Sequence, residues 1–579
     1  MEIPPGIVYL VQNLPRFLLP AALVYGANRL SQAVLGTSIP AGLRIPSYLL
    51  SLPLAFTLSI LYSEYDEKRQ ATARGAVLVP RAHSKWPGGL DILARLVENF
   101  KSGYLGEVVA NEMEIHGNTV NIRALFGNCV CTTEPEYIKA ILATKFNSFA
   151  KGPVFWDQMG SLLGTGVFNS DGSMWIEFHR SMTRPFFIKD RISHFDIFEK
   201  HAEDAISQAK RRLREGYPID IQDMASRFTL DSATEFLFGR DVCSLSAGLV
   251  YPPSSPLSKS VAFENHPANA FAHAFAEAQV AAAFRGSFGY AWRLVEFWSD
   301  RTKKHMNVCY KFIDPILNEA LRKKKEMKES ISTNSDARDR EVKEGETLLD
   351  HLVNYTEDPI VIRDEILNIM IAGRDTTAGT LTFVVHMLSQ HPEVLRRLRE
   401  EILSKVGSSR RPTYDDLRDM KYMRAVINGT TSTEPVVWPS VNAYFHIYRN
   451  IYCVFLMHRR KDLWGPDAEE FDPDRFLDER LHKYLTKNPF IFLPFNAGPR
   501  ICLGQQFAYN EVSFFLVRLL QTFSSVSLAT DTQTAPPAEW ASASGRKGID
   551  KVVFKGHLTM YAHDGVWVRM GEANQNEVV

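Results

Sequence analysis

A ten-residue pattern near the carboxyl end of the chain constrains its fold more than any other feature. Residues 495–504 read Phe-Asn-Ala-Gly-Pro-Arg-Ile-Cys-Leu-Gly and fit F-x-x-G-x-R-x-C-x-G. Average composition gives a chance match in a chain of this length on the order of one in ten thousand. A helical pattern follows at once, and the N–H groups and dipole at a helix start favour a thiolate. Cys502 is therefore predicted to be a functional thiolate; the alternative is an inert buried thiol.

A long helix is predicted over residues 364–390, and its first half is apolar nearly all round. Such a helix runs through the core of a protein. The polar run Arg374-Asp375-Thr376-Thr377 interrupts it, and a buried polar cluster is expensive unless it is partnered or functional. Thr376 is expected to bond back to the carbonyl of Ala372 and bend the helix. Gly373 is expected to leave space beside the backbone.

Helical periodicity also dominates most of the remaining chain, so the predicted fold class is mainly α with small β-sheets. Further helices are predicted over residues 90–100, 135–143, 195–213, 220–238, 267–283 and 300–328. A hairpin is predicted over residues 114–133 and short strands over residues 550–570. The highly charged run 323–346 is predicted to be a solvated loop rather than a binding patch.

The amino-terminal region contains a candidate membrane anchor. Residues 45–63 are nineteen residues without a charge, close to the roughly 20 that a spanning helix needs. A shorter apolar run, 17–27, contains Pro20 and predicts either a second, weaker span or an interfacial segment. Residues 1–70 are therefore predicted to anchor the chain and residues 71–579 to form the globular body. A buried core helix is the alternative, and a cleaved signal peptide is disfavoured because the main run begins far from Met1.

Charge and cysteine content exclude two classes of protein. The chain has 66 Lys and Arg residues and 66 Asp and Glu residues, so no net positive field favours nucleic acid as a partner. Six cysteines in 579 residues are few. The one close pair, Cys129 and Cys131, lacks the two-residue gap of a zinc or redox motif. A disulfide framework is therefore unexpected, and a reducing compartment is predicted.

The loop around Cys502 resembles the haem-ligand loop of the cytochrome P450 family, and three other segments support the resemblance. Residues 372–377 (Ala-Gly-Arg-Asp-Thr-Thr) resemble the family's oxygen-activation motif, and residues 471–476 (Phe-Asp-Pro-Asp-Arg-Phe) its P-E-R-F element. Residues 178–185 resemble the helix that contacts the haem propionates. The resemblance covers about residue 80 to the end and, in detail, is similar to the fungal branch that hydroxylates alkanes and fatty acids.

The resemblance implies a cytochrome P450 fold and haem b with Cys502 as the axial iron ligand. The implied cofactor-binding residues are Cys502, Arg500, Phe495, Gly498, Gly504, Trp175, Arg180, Ala372 and Gly373. It also implies that Asp375 and Thr376 deliver protons to bound dioxygen, with Thr376 the closer. The alternative for Arg500 is a guanidinium on the protein surface. For Thr376 it is a threonine that only bends the helix, and for Asp375 a solvated carboxylate.

The resemblance further implies a monooxygenase that inserts one oxygen atom from O2 into a hydrophobic substrate such as an alkane, a fatty acid or a xenobiotic. Its electrons would come from NADPH through NADPH–cytochrome P450 reductase. The chain would sit in the endoplasmic reticulum membrane with its catalytic domain facing the cytosol. The family's substrate-contacting regions correspond to residues 155–163 and 265–288. The alternative for the aromatic side chains in both regions is that they are ordinary core residues.

The first departure from the family pattern concerns the propionate helix. The family spaces a Trp and an Arg by four residues, whereas Trp175 is followed by His179 at four and Arg180 at five. One extra residue rotates a helical side chain by about 100°. Trp175 and Arg180 are therefore not expected to face the haem together.

The second departure is more serious. The family places E-x-x-R after the position of Asn428, and both residues hold the Arg of P-E-R-F, here Arg475; this chain reads Gly-Thr-Thr-Ser at 429–432. The segment from Gly429 to Cys453 is predicted to form neither a good helix nor the expected strands. Its simplest interpretation is an exon-boundary or frameshift error, with true divergence as the alternative. Arg475 is then predicted to lack partners and the chain to incorporate haem poorly. The alternative to the monooxygenase is therefore a non-catalytic or misassembled P450-like membrane protein.

Overall fold

The computed structural model describes residues 3–176, 181–187, 195–330, 346–433, 443–445 and 448–574. Helices of eight residues or more in these ranges are numbered in chain order. They are α1 (Pro5–Leu35), α2 (Ala41–Ala73), α3 (Leu90–Lys101), α4 (Glu107–His116), α5 (Gly152–Leu163), α6 (Asp196–Arg214), α7 (Ile221–Phe238), α8 (Pro267–Arg285), α9 (Arg301–Ser330), α10 (Leu348–Tyr355), α11 (Pro359–Gln390), α12 (Pro392–Lys405), α13 (Lys421–Thr433) and α14 (Gln505–Thr522).

The strands form three small sheets in the described part of the chain. They are β1 (Thr119–Asn121), β2 (Cys129–Thr132), β3 (Ile219–Asp220), β4 (Ala443–Phe445), β5 (Tyr448–Tyr452), β6 (Phe523–Leu528), β7 (Phe554–Gly556), β8 (Met560–Ala562) and β9 (Trp567–Glu572). Their orders are β1-β2-β5-β4, β3-β9-β6 and β7-β8. The β2–β5 pair is parallel, with Thr132 opposite Tyr452, and the other pairs are antiparallel. The predicted fold class is confirmed.

The core is built around α11, as its apolar sequence predicted. Ile366, Leu367 and Met370 lie in a hydrophobic cluster with α5, α8, α9 and α10. About three turns further on, Leu381 and Val384 lie in a second cluster with α6, α7, α12 and α14. Because both clusters share this helix, α11 fixes the position of every element packed against it.

The charged run at 323–346 is helical where the structure describes it, so the prediction of a loop is wrong there. Helix α9 continues to Ser330. Lys and Glu have high helix propensity, and pairs such as Lys323–Glu319 at 3.1 Å and Arg322–Glu326 at 2.7 Å add support along the helix surface. Residues 331–345 of this run lie outside the described residues.

Both amino-terminal apolar runs are parts of long helices. By length and composition, α1 and α2 could each cross a membrane. Helix α1 runs without a break through Pro15 and Pro20, so the shorter predicted run 17–27 is only its middle. The link at residues 36–40 is short, and the two helices pack against each other as a helical hairpin.

The segment from Gly429 to Cys453 is more regular than predicted. Helix α13 continues through residues 429–433, and β4 and β5 follow it. The last turn of α13 is buried, and the hydroxyls of Thr430 and Thr433 bond back to the carbonyls of Val426 and Gly429 at 3.0 and 3.1 Å. Burial therefore overrides low helix propensity here. Residues 434–442 and 446–447 lie outside the described residues.

Arg475 is not without partners, which corrects a second expectation. Its guanidinium lies 3.3 Å from the carboxylate of Asp467 and donates to the carbonyl oxygens of Asp467 and Ala468. Two buried atoms in this region nevertheless lack a hydrogen bond within the described residues: Arg475 Nε and Ser432 Oγ. The position at which the family has Glu is Gly429, whose Cα faces Phe471 and Pro473.

Candidate functional site

The Cys502 loop is closed by its own backbone. The N–H of Cys502 donates to the carbonyl of Phe495 at 3.0 Å. The Phe495 ring packs on Tyr509, with 5.0 Å between ring centroids. Gly504 then caps the start of α14. The loop is therefore fixed at both ends, and it presents the thiol just before the helix.

The Cys502 thiol faces an internal space. Its side chain is accessible, yet enough protein surrounds it that burial raises the pKa of the thiol, against the lowering effect of the Gly504 N–H. An accessible group enclosed by protein lies in a cavity rather than on the outer surface. The N–H of Gly504 is a donor suited to a thiolate. An accessible sulfur with an N–H donor beside it fits a metal ligand, and a bound metal ion would stabilise the thiolate against the raised pKa.

The structure explains in two different ways why Gly498 and Gly504 of the loop lack a side chain. Gly498 has φ of 65°, and a Cβ there would overlap the carbonyl of Leu142. A side chain is thus excluded by conformation and by contact with the neighbouring segment. A Cβ at Gly504 would lie 3.5 Å from the Phe187 ring and 4.0 Å from Cys502 Sγ. Gly504 therefore leaves the sulfur open.

One face of α11 is open in the middle of an otherwise buried helix. Ala372, Gly373, Thr376 and Thr380 are partly accessible, whereas the preceding turns and residues 381–388 are buried. These four residues share a face at helical spacing. The Thr376 hydroxyl donates to the carbonyl of Ala372 at 2.5 Å, which confirms the predicted back-bond. Gly373 has open space at its Cβ position, with Ala233 Cβ the nearest atom at 3.7 Å.

Asp375 is held by two neighbours rather than by solvent. The amide of Gln279 on α8 donates to it at 2.7 Å, and Arg374 lies 3.3 Å away as an ion pair. The side chain of Asp375 is only 12% exposed. Asp375 is thus a positioned carboxylate next to the open face, and it couples α8 to α11.

Arg500 lies in a cluster of positive charge and aromatic rings. It forms an ion pair with Asp171 and stacks on Trp175, with its guanidinium carbon 4.2 Å from the ring centroid. Lys151 is buried beside it, and burial, followed by the charge of Arg500, lowers the pKa of this lysine well below its usual value. Asp171 thus pairs with Arg500 and also accepts from the backbone N–H of Lys151 at 2.8 Å, while the Lys151 side chain donates to the carbonyl of Phe168. Arg180 lies outside the described residues, so its predicted rotation away from Trp175 stays a prediction.

Polar side chains of α11 hold the loop that leads to this cluster. The N–H groups of Thr165, Val167 and Phe168 donate to Asp364, Glu365 and Asn368 at 2.8, 3.0 and 2.9 Å. These bonds fix the segment that ends at Asp171. The cation cluster is therefore positioned from the same helix that carries Thr376.

Sequence reasoning missed three side chains of the site. Lys151 and Asp171 give no motif signal, because only the fold brings them to Arg500. The sequence does carry a signal for Glu511 on α14, because it is a single acidic residue immediately before the apolar run VSFFLVRLL. It is buried beside Thr377, and burial raises the pKa of Glu511 well above its usual value. Its carboxyl oxygens make no hydrogen bond of good geometry among the described residues.

The aromatic residues predicted near the substrate divide into two groups. Phe271 and Phe275 are fully buried and pack with Phe312, so they are core residues. Phe284 and Phe288 are partly accessible and pack together with a centroid separation of 5.1 Å. In the first region Phe155 is buried and Trp156 is exposed, so Trp156, Phe284 and Phe288 are the accessible aromatic residues of the two predicted regions.

Together these features fit a haem group. An enclosed but accessible thiol lies at the start of α14, which packs on α11, the helix with the open face. The half-buried guanidinium of Arg500 is a donor suited to an anionic group such as a propionate, and the side chain of Lys151 lies beside it. The donor set of one thiolate is the type that haem iron accepts.

The chain matches the sequence profile of the cytochrome P450 family over residues 92–436 and 448–549. The matched part contains the Cys502 loop and the open face of α11. The unmatched residues between the two ranges, 437–447, lie within the segment that departed from the family pattern.

Curated relatives match most of the chain. Cytochrome P450 52-M1 of Starmerella bombicola is 32% identical over 507 residues, which cover 81% of this chain and 89% of the relative. Cytochrome P450 52A1 of Candida tropicalis is 35% identical over 450 residues, covering 72% and 76%. A cytochrome P450 of Arthroderma benhamiae is 32% identical over 550 residues, covering 90% and 97%. The resemblance to fungal members of the family is confirmed.

Proposed function

Because this chain belongs to the cytochrome P450 family, we propose that it is a membrane-anchored monooxygenase with haem b bound through Cys502. It inserts one oxygen atom from O2 into a hydrophobic substrate. The observation that carries the proposal is the enclosed, accessible thiol of Cys502 on a loop fixed at both ends. When bound, the haem supplies the activation of dioxygen that the protein lacks.

Cys502 would hold the iron, with the Gly504 N–H stabilising the sulfur charge. Arg500, Lys151 and Trp175 would hold the propionates, whereas Arg180 is not expected to face the haem together with Trp175. In the structure Arg500 already has a carboxylate partner in Asp171, so a propionate would share or displace it. Ala372 and Gly373 would line the opposite face of the ring because they present little bulk there.

Thr376 and Asp375 would position protons on the open face of α11. The Thr376 hydroxyl donates to the carbonyl of Ala372, so its oxygen can accept a hydrogen bond from water while that bond keeps it oriented. Asp375 directly precedes Thr376 in the sequence. Its carboxylate is held by Gln279 and Arg374 and can exchange protons with water that enters the cavity. Proton delivery by a positioned side chain contributes roughly 10²–10⁴-fold to a rate.

Thr376→Ala is expected to keep substrate binding but lower the coupling of NADPH consumption to product by about 10-fold or more, since proton positioning has effects of that size. Reducing equivalents then appear as hydrogen peroxide. Thr376→Ser, which keeps the hydroxyl, is the matched control and should stay coupled. The measurement is product and peroxide per NADPH; unchanged coupling in the alanine variant would reject the role.

The substrate is proposed to be a long apolar molecule such as an alkane or a fatty acid. The half-open aromatic pair of Phe284 and Phe288 and the lack of charge on the open face of α11, apart from Asp375, support this class. The likeness to the fungal alkane and fatty-acid hydroxylases supports it as well.

Dodecane or lauric acid is expected to shift the haem spin state, because either chain would displace water from the cavity. A compact polycyclic of similar mass serves as the comparison and should shift it less. The readout is the Soret difference spectrum during titration. A shift with the polycyclic alone would overturn the proposed substrate class while leaving the haem assignment intact.

The electron donor is proposed to be NADPH–cytochrome P450 reductase, and the location the endoplasmic reticulum membrane with the catalytic body in the cytosol. Helices α1 and α2 support anchoring because both are long, apolar and largely exposed. Balanced charge gives no support for a nucleic-acid partner.

One observation favours a second candidate, a family member that binds haem poorly. Gly429 and Ser432 occupy the positions of the family's Glu and Arg, and the buried Ser432 Oγ and Arg475 Nε have no hydrogen bond among the described residues. The reduced, carbon-monoxide-bound spectrum discriminates the two candidates. A thiolate-type Soret band supports the monooxygenase, and absence of a Soret band supports the second.

A further inference from the structure

The two amino-terminal helices are fastened to the catalytic body at both of their outer ends. At the start of α1, the N–H of Gly6 donates to the carbonyl of Phe297 at 2.9 Å. The Phe297 ring occupies the space that a Cβ at Gly6 would need, so only glycine fits there. The beginning of α1 is therefore docked on the body and does not extend away from it.

Ion pairs attach the end of α2 to the catalytic body. Glu64 lies between Arg81, at 3.1 Å, and Arg123. Glu67, which is almost fully buried, pairs with Arg81 at 3.2 Å and accepts from the amide of Asn128 at 2.9 Å. The carboxyl end of α2 thus sits on the same body as the amino end of α1.

The opposite end of the pair is a closed turn. The side chain of Asn28 accepts from the N–H of Ile39 at 2.6 Å, and Ser31 and Thr37 hydroxyls are 2.9 Å apart. Arg44 Nε donates to the Ile39 carbonyl at 3.0 Å. These bonds satisfy polar groups of the link at residues 36–40 and hold α1 and α2 together away from the body.

Each of the two helices carries an uncharged run, twelve residues long in α1 and nineteen in α2. In α2 the uncharged run is residues 45–63, nineteen residues, or about 28 Å at about 1.5 Å per residue, close to a hydrocarbon core of about 30 Å. In α1 residues 17–28 are uncharged between Arg16 and Arg29. Arginine stems can snorkel to the two interfaces from these positions. Arg29 and Arg44 both lie within two turns of the link, so they reach the interface on the link side, whereas Arg16 lies nearer the interface on the body side.

We infer that α1 and α2 cross the lipid bilayer together as a hairpin, so that the amino terminus lies on the same side of the membrane as the catalytic body. The link at residues 36–40 lies on the far side. Basic residues favour the body side as the cytosolic one, because Lys68 and Arg69 lie near the end of α2 and Arg74 and Arg81 follow it, whereas Arg29 and Arg44 flank the link. The inference rests on the membrane anchoring proposed above.

Cysteine labelling in intact microsomes tests the inference. Ile3→Cys and Ser38→Cys place thiols at exposed positions before α1 and in the link. Ser254→Cys, at an exposed position of the body, is the control. The probe is a bulky, membrane-impermeant maleimide, and the readout is the extra mass shift over the parent chain, which carries the native cysteines.

Label on Ile3→Cys and Ser254→Cys should be the same before and after detergent permeabilisation. Label on Ser38→Cys should go from none to near completion on permeabilisation. Protection of Ile3→Cys in intact vesicles, or labelling of Ser38→Cys there, would overturn the hairpin. Carbonate extraction of the same membranes separates the two proposals, since release into the supernatant would reject anchoring itself.

Discussion

The double substitution Gly429→Glu with Ser432→Arg should raise the haem bound per chain several-fold and raise the thermal midpoint by about 2–4 °C. Two buried polar groups without partners cost roughly 1–3 kcal/mol each, and a chain of this size shifts by about 1 °C per kcal/mol. Arg475 Nε and Ser432 Oγ make no hydrogen bond among the described residues, although the other nitrogens of the Arg475 guanidinium are bonded. The measurements are the haem-to-protein ratio and the melting curve of the purified protein.

The structure supports this design because α13 is already a helix at both positions. Residues 429 and 432 lie three apart on its last, buried turn, which is the spacing for two side chains on one face. A Cβ at Gly429 would approach Phe471 at 3.3 Å and Pro473 at 3.4 Å. These neighbours must move by a few tenths of an ångström, which is small against the gain of a carboxylate near Arg475.

Gly429→Gln with Ser432→Met is the matched control. It adds a similar side-chain volume and removes the same helical glycine, which stabilises the helix by about 1 kcal/mol. It adds no ion pair. Haem content should stay near that of the parent. If the control performs as well as the charged pair, packing rather than the missing ion pairs limits the parent; if the parent already holds one haem per chain, the expectation of poor incorporation is wrong.

Cys502→Ala should abolish thiolate ligation altogether, since Cys502 is the proposed iron ligand. Cys453→Ala is the control, because Cys453 is buried in the hydrophobic core and burial raises the pKa of its thiol to about 12. That thiol is a packing group and its removal should leave the ligand in place. The reduced carbon-monoxide spectrum is the readout. Loss of the thiolate band in Cys453→Ala with retention in Cys502→Ala would refute the assignment.

Local patterns were sufficient for the parts of the site that lie close together in sequence. The Cys502 loop, the start of α14 and the Thr376 back-bond each depend on residues within ten positions of one another. Helix α11 was predictable for the same reason, since its apolar run is continuous. Arg475 and Asp467 are also near neighbours, but no pattern told us that Asp467 would face the guanidinium.

Contacts between distant segments could not be predicted. The ion pair of Arg500 with Asp171, the burial of Lys151 and the overlap of Gly498 with the Leu142 carbonyl arise only after the core has formed. The last turn of α13 is the clearest case. Its Gly-Thr-Thr-Ser-Thr sequence disfavours a helix by propensity, but burial of that turn and side-chain bonds to the preceding carbonyls outweigh this preference.

The reduced carbon-monoxide spectrum of the parent chain beside its Cys502→Ala variant tests the central claim most directly. The account predicts a thiolate-type Soret band in the parent, at less than one haem per chain, that grows in Gly429→Glu with Ser432→Arg and vanishes without Cys502. A band at the position of a neutral axial ligand, or one that survives Cys502→Ala, would contradict the claim that Cys502 binds the haem iron.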